Sequence, residues 1–258
     1  MIRPGNFDLD FLTDPTVVAL GAMPPHSDHR WFASEEEFHA GHSTFERSLD
    51  GTWKFLYAPT PAEAPTDFMD PSYPVEGWED IEVPSHIQLR GWDRPHYIDV
   101  QYPWDGHADV APPQVPTDYN PTACYVKDFN FPSLAPRQRC SVVFEGAESA
   151  LAVWINGVFL GYGEDSFTPT EFDLTDHLVE GENRLAAQVF KWCSGSWLED
   201  QDFFRFSGLF RDATLKIRPR THIEDLRVDV ELSADLAAAR VDVEVALTGE
   251  GSVRATMS

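Results

Sequence analysis

Leu151-Ala152-Val153-Trp154-Ile155-Asn156-Gly157-Val158-Phe159-Leu160 decides the fold. Two apolar runs flank Asn-Gly, the dipeptide that most readily supplies two successive positive φ angles. The spacing predicts a type I′ hairpin with both arms buried. Working outward, Cys140–Phe144, Glu171-Phe172-Asp173-Leu174 and Leu49-Asp50-Gly51-Thr52-Trp53-Lys54-Phe55-Leu56-Tyr57 read as strands, the last fed by a turn. Ile81-Glu82-Val83 follows a proline-rich stretch. Asn183 to Trp192 reads as a long inner strand. Many short strands separated by Gly, Pro and Asn turns predict an all-β protein, an antiparallel jelly-roll β-sandwich.

Composition changes near Arg218-Pro219-Arg220. Beyond it aromatic residues vanish and alternation becomes strict, in Leu226–Leu232 and again in Val241–Val245. This predicts a second β-domain. It holds about three strands before Ser258, fewer than the roughly seven of an immunoglobulin-like sandwich. The expected organisation is an irregular N-terminal arm over residues 1–48, a jelly roll over 49–218, and the first strands of an immunoglobulin-like β-sandwich over 219–258. The expectation is a chain that stops within that last domain. In the arm, Ser34-Glu35-Glu36-Glu37-Phe38 has N-cap chemistry and predicts a short helix.

The 258 residues carry 19 lysines and arginines against 43 acids, a net charge of −24, and 42% are hydrophobic. That apolar share can build a real core, while the charge repels nucleic acid and anionic membranes, so neither is an expected partner. No apolar run is long enough to span a bilayer and no signal-peptide core follows Met1. Cys124, Cys140 and Cys193 are too few and too scattered for a disulfide framework or metal cluster. No N-glycosylation acceptor is present. These features point to a cytoplasmic protein.

One segment is chemically odd. Trp197-Leu198-Glu199-Asp200-Gln201-Asp202-Phe203-Phe204-Arg205-Phe206, continued to Asp212, threads four carboxylates and two arginines among aromatic rings. Burying charge costs several kcal/mol unless it is paired or bound to an ion. No H-E-x-x-H, G-x-S-x-G or P-loop motif accompanies it, and His26-Ser27-Asp28-His29 reads as a solvated loop before a metal site. Carboxylates beside aromatic rings suit carbohydrate, because ring faces stack on sugars and acids accept from hydroxyls.

Several motifs then carry a family resemblance. Arg94–Pro103, Pro121–Tyr125, Val153–Gly157, Gly161–Ser166, Glu171–Leu174, Leu198–Asp202 and Arg205–Asp212 resemble, in order, the amino-terminal domain of bacterial β-galactosidases in glycoside hydrolase family 2. The match runs from about residue 48 to 220. The resemblance implies that the jelly roll binds sugar and completes the galactose site of a downstream TIM barrel in the same polypeptide. That barrel would carry both catalytic glutamates, so none is expected here. The parent reaction would be retaining hydrolysis of terminal β-D-galactosides such as lactose, by an enzyme expected to be a homo-oligomer. The last aspartate of L-E-D-Q-D, Asp202, is implied to bind Na⁺ and touch galactosyl hydroxyls. Asp99 stands where lactose-type enzymes place a sugar-facing asparagine. Glu164 occupies a position implied to bind Mg²⁺ in the parent enzyme, but Ser194 replaces the partner acid and is a poorer ligand. Glu199, Asp200 and Asp212 are expected to pair with Arg205 and Arg211 or to bond backbone amides. The alternatives are a stand-alone carbohydrate-binding module or a structural assembly domain.

Overall fold

A computed structural model describes residues 6–199 and 202–254. Among them the strands are, in chain order, β1 (Ala19–Leu20), β2 (Glu46–Ser48), β3 (Gly51–Ala58), β4 (Glu79–Val83), β5 (Thr122–Phe131), β6 (Gln138–Phe144), β7 (Ala147–Glu148), β8 (Ala150–Ile155), β9 (Val158–Gly163), β10 (Thr170–Asp173), β11 (Gly181–Phe190), β12 (Gly208–Leu209), β13 (Ala213–Pro219), β14 (Ile223–Leu232) and β15 (Ala239–Leu247). The helix α1 (Glu35–Ala40) starts where Ser34 accepts from the Glu37 amide and stops at left-handed Gly41.

The hairpin forms as its turn dictates. Asn156 has φ 51° and Gly157 φ 80°, and Ile155 faces Val158. The Asn156 side chain does more than tolerate the turn. Its amide donates to the His177 carbonyl and Asn183 Oδ1, and its Oδ1 accepts from the Arg184 amide at 2.9 Å. The hairpin is thereby pinned to β11.

The fold is an antiparallel β-sandwich. One sheet has the order β1-β9-β8-β11-β5-β3-β4 and faces a second of order β10-β6-β13-β2. Trp53, Phe55, Tyr125, Val142, Phe144, Phe172, Leu185, Val189 and Leu215 fill the space between them. The other face of the large sheet is also covered: Cys124, Val126, Trp154, Ala186 and Phe190 lie under Leu12, Phe68 and Val75 from the connecting segments. Strand β11 is hydrogen-bonded to β5 and β8 and buried on both faces from Asn183 onward, which suits the apolar residues of its second half, Leu185, Ala186, Ala187, Val189 and Phe190.

Two expectations need correction. The arm is not irregular throughout: β1 pairs with β9 and β2 with β13, extending both sheets. Strands of two and three residues are too short to show alternation. Gly161 permits the first of these pairings, since a Cβ there would lie 2.1 Å from the Leu20 carbonyl oxygen. Gly161 is thus needed for packing. Beyond residue 219 the described residues form two strands, β14 and β15, which pair with each other, rather than about three. Val228, Val230 and Leu232 on β14 are exposed.

His26, Ser27 and His29 are half-buried in contacts with the sandwich rather than solvated, and only Asp28 of this tetrad is exposed. His26 Nε2 meets the buried Glu171 carboxylate at 2.9 Å, while Ser27 bonds Asp225 and Leu226 of β14. Trp31 Nε1 donates to the Ile223 carbonyl. The arm clamps β14 against the sandwich.

Asn156→Ala should destabilise the protein by about 2–4 kcal/mol, combining a strained positive φ with an orphaned Arg184 amide. Asn156→Gly, which keeps the turn but loses the side-chain bonds, should fall between it and wild type in denaturant midpoint. Equal midpoints for all three would contradict the pinning role.

Candidate functional site

Two segments far apart in sequence meet beyond the end of β11. The His96 amide donates to the Arg205 carbonyl, and the Arg205 amide donates to the His96 carbonyl at 2.7 Å. This bridge carries the flanking residues into register. Tyr97 lies against Phe204 with ring centroids 5.0 Å apart, and Phe204 stacks on Phe206. The Tyr97 hydroxyl donates to Asp202 Oδ1 at 2.5 Å.

Tyr97, Asp99 and Asp202 are all exposed. The hydrogen bond to Asp202 and then its negative charge hold the Tyr97 phenol above its ordinary pKa, with a smaller push from Asp99. Asp99 sits just beyond, in the left-handed region with φ 51°. Asp and Asn adopt that conformation more readily than other side chains. The structure thus brings Asp202 and Tyr97 into contact and sets Asp99 within their electrostatic reach.

The other acids behave differently. Glu199 pairs with Arg205 at 2.9 Å and accepts from Ser166 Oγ at 2.8 Å. The expected pairing with Arg205 is present, and it anchors the base of the segment that bears Asp202. Asp200 lies outside the described residues. Asp212 does not pair with Arg211: that guanidinium donates to the carbonyls of Phe167 and Glu145. Asp202 makes no ion pair among the described residues, so its charge is left for solvent or a ligand.

Glu164 is buried and turned inward, beside the candidate site's base. Its Oε1 accepts from the Tyr162 hydroxyl at 2.8 Å; its Oε2 accepts from Ser194 Oγ at 2.9 Å and from the Gly195 amide. Burial raises its pKa against the pull of these donors. No group of three or more His, Cys, Asp or Glu that could hold a metal occurs among the described residues. Beside Glu164 stands the neutral hydroxyl of Ser194, a weaker ligand for a divalent cation than a second carboxylate would be.

Sequence reasoning missed Tyr97 and Glu148. Tyr97 lies within the Arg94–Pro103 motif, but nothing local ties it to Asp202, its partner 105 residues away. Glu148 is 3% exposed, close to Glu199 and Arg205, with His86 Nδ1 3.9 Å from its carboxylate. Burial, reinforced by the Glu199 charge, lifts its pKa to about 7.

The end loops of the β-sandwich gather exposed acids and aromatic rings. The family model described as "Glycosyl hydrolases family 2, sugar binding domain" matches residues 46–219, and the chain belongs to that family. It is 44% identical over 242 residues to a β-galactosidase of Lactobacillus delbrueckii subsp. bulgaricus, covering 94% of this chain and 24% of that protein. It is 41% identical over 255 residues to the β-galactosidase large subunit of Latilactobacillus sakei, covering 94% and 41% respectively. The chain therefore spans between about a quarter and two fifths of these relatives' length. Among solved structures, a β-glycosidase from Bacteroides vulgatus superposes with a TM-score of 0.58 at 22% identity, covering 80% of this chain and 24% of that one. A β-glucuronidase of Bifidobacterium dentium gives 0.57 at 22%, covering 80% and 36%. These two share the fold.

The Glu148 shift sets a pH dependence. A carboxyl raised from 4.5 to about 7 stabilises the fold below pH 4.5, and that contribution is lost as pH rises through 7. Glu148→Gln should therefore be more stable than wild type at pH 8, by roughly 3 kcal/mol at most, and should lack the decline between pH 4.5 and 7. Parallel stability–pH curves for the two proteins would remove Glu148 from this role.

Proposed function

We propose that this chain is the amino-terminal part of a retaining β-galactosidase and completes the galactose site of a TIM barrel further along the same polypeptide. The observation that carries the reading is the exposed Asp202 carboxylate, held by Tyr97 and left without an ion pair among the described residues, in a chain whose curated relatives are β-galactosidases. Within that reading the catalytic carboxylates belong to the barrel. They would stand roughly 5 Å apart, one protonating the leaving oxygen and the other attacking the anomeric carbon.

This chain's residues bind and orient. Asp202 accepts from galactosyl hydroxyls, and its free oxygen suits a hard monovalent cation such as Na⁺, which would neutralise its charge at the sugar. Tyr97 holds the carboxylate by donating to one oxygen. Asp99 accepts from a sugar hydroxyl where an asparagine would also donate. Magnesium at Glu164 forms no part of the proposal. Three buried free cysteines and the strong negative charge suit a reducing cytoplasm, and a homo-oligomer is the proposed state of the full-length protein. No helix of the described residues is long and apolar enough to cross a membrane.

Residues 1–258 alone should not hydrolyse a chromogenic β-galactoside; turnover that survives removal of host enzyme would contradict the assignment of catalysis to the barrel. In the full-length protein, Asp202→Asn should keep the fold, lose most of the sodium response and weaken galactoside binding by about 1.5–3 kcal/mol. An unchanged sodium response and kcat/KM would exclude Asp202 as the ligand. Asp99→Asn leaves the left-handed backbone undisturbed, because Asn adopts that region as readily as Asp. It should bind galactosides at least as tightly and depend less on sodium, since like charges in one cleft oppose each other's ionisation. A several-hundredfold loss of activity with the fold intact would give Asp99 its own role.

A further inference from the structure

Lys191 immediately follows β11 and is fully buried, an expensive position for an ammonium group. Its three protons find three acceptors, all within residues 93–96. Nζ donates to Asp93 Oδ2, to the Arg94 carbonyl at 3.2 Å and to His96 Nδ1 at 2.9 Å. Because Lys191 can only donate, His96 Nδ1 is the acceptor and the imidazole proton lies on Nε2, which faces the Tyr119 hydroxyl. Asp93 extends the network. Gln88 Nε2 donates both to Asp93 Oδ2 at 3.0 Å and to Ser207 Oγ at 2.9 Å, and Gln88 Oε1 accepts from the Ser207 amide.

The network touches both halves of the candidate site without reaching its surface. On one side it fixes residues 93–96, the residues that launch Tyr97 and Asp99. On the other, Gln88 grips Ser207 and the His96 backbone grips Arg205, five and three residues from the nearest described acids on that segment. Lys191 is itself held by its own backbone: its amide donates to the Pro121 carbonyl, and its carbonyl accepts from Ser149 Oγ. Burial pulls the amine below its ordinary range, and the Asp93 charge opposes that pull.

We propose that Lys191 is a positioning residue for sugar recognition: it ties the rigid end of β11 to the 93–97 segment and so sets the Tyr97–Asp202 contact. This rests on the reading that Asp202 faces the sugar. Lys191 touches no substrate. Its contribution is to binding geometry, which is felt equally in ground and transition states and therefore falls on KM.

The test uses the full-length protein. Lys191→Met should raise KM for a galactoside about 10- to 100-fold, with kcat changed by no more than about threefold. Hydrogen exchange read by mass spectrometry should accelerate at least about tenfold in peptides covering 93–99 and 202–207, while β11 peptides stay protected. Lys191→Arg, which keeps the charge but presents a planar fork, should recover part of both effects. If Lys191→Met does not fold, the double variant Lys191→Met with Asp93→Leu removes both charges together and should show the same local exchange and KM changes. Unchanged exchange in 93–99 and 202–207, in a folded variant, would overturn the positioning role. Accelerated exchange combined with an Asp202→Asn protein of unaltered KM would leave the positioning role intact and refute the sugar-site reading instead.

Discussion

Strand β11 is bonded along both edges and buried on both faces, and every loop of the candidate site is fastened to the residues that follow it. Lys191 grips the 93–96 segment. Trp192 exchanges two hydrogen bonds with the Asn120 side chain. Ser194 and Gly195 hold Glu164, and Glu199 reaches Arg205. Since a strand in that position cannot shift by one residue without moving its whole apolar set, its end point is a fixed reference for the surface loops. The aromatic rings around it add stiffness: Trp104, Trp192 and Trp197 meet edge to face.

The chain handles its carboxylates in distinct ways, and the contrast marks the site. Glu171 is buried, yet His26, Arg218 and Ser141 outweigh the burial and hold its pKa at about 2. Glu199 is paired, Glu164 is wrapped in neutral donors, and Glu148 is raised to about 7. Asp202 is instead exposed, with one neutral donor on it. An unneutralised acid at the end of a sandwich, amid exposed rings, is the arrangement that invites a polar ligand or a cation.

The sandwich was legible from two features with strong local causes: an Asn-Gly turn that needs positive φ twice, and the Leu185–Phe190 stretch, apolar except for Gln188, that suits a strand covered on both faces. What escaped had no local cause. The short strands β1, β2 and β12 exist because a neighbour offers them an edge, and no periodicity of their own announces it. The same holds for the site. Motif resemblance pointed to Asp202 and Asp99, but the phenol that reaches Asp202 and the lysine behind it are long-range contacts of side chains that could equally fill a core. His26 and His29 were misread for the opposite reason: a polar tetrad in an irregular arm resembles a solvated loop until a buried glutamate and a neighbouring strand are placed against it.

That clamp has a consequence for the order of events during folding. Ser27 bonds Asp225 across 198 residues, so the contact closes a long loop, and its entropy must be met before any gain is returned. It also needs Glu171 already in place on β10 to receive His26. The arm can therefore settle only once β10 and β14 are in place. Docking of this arm thus reports that two distant strands have reached their places.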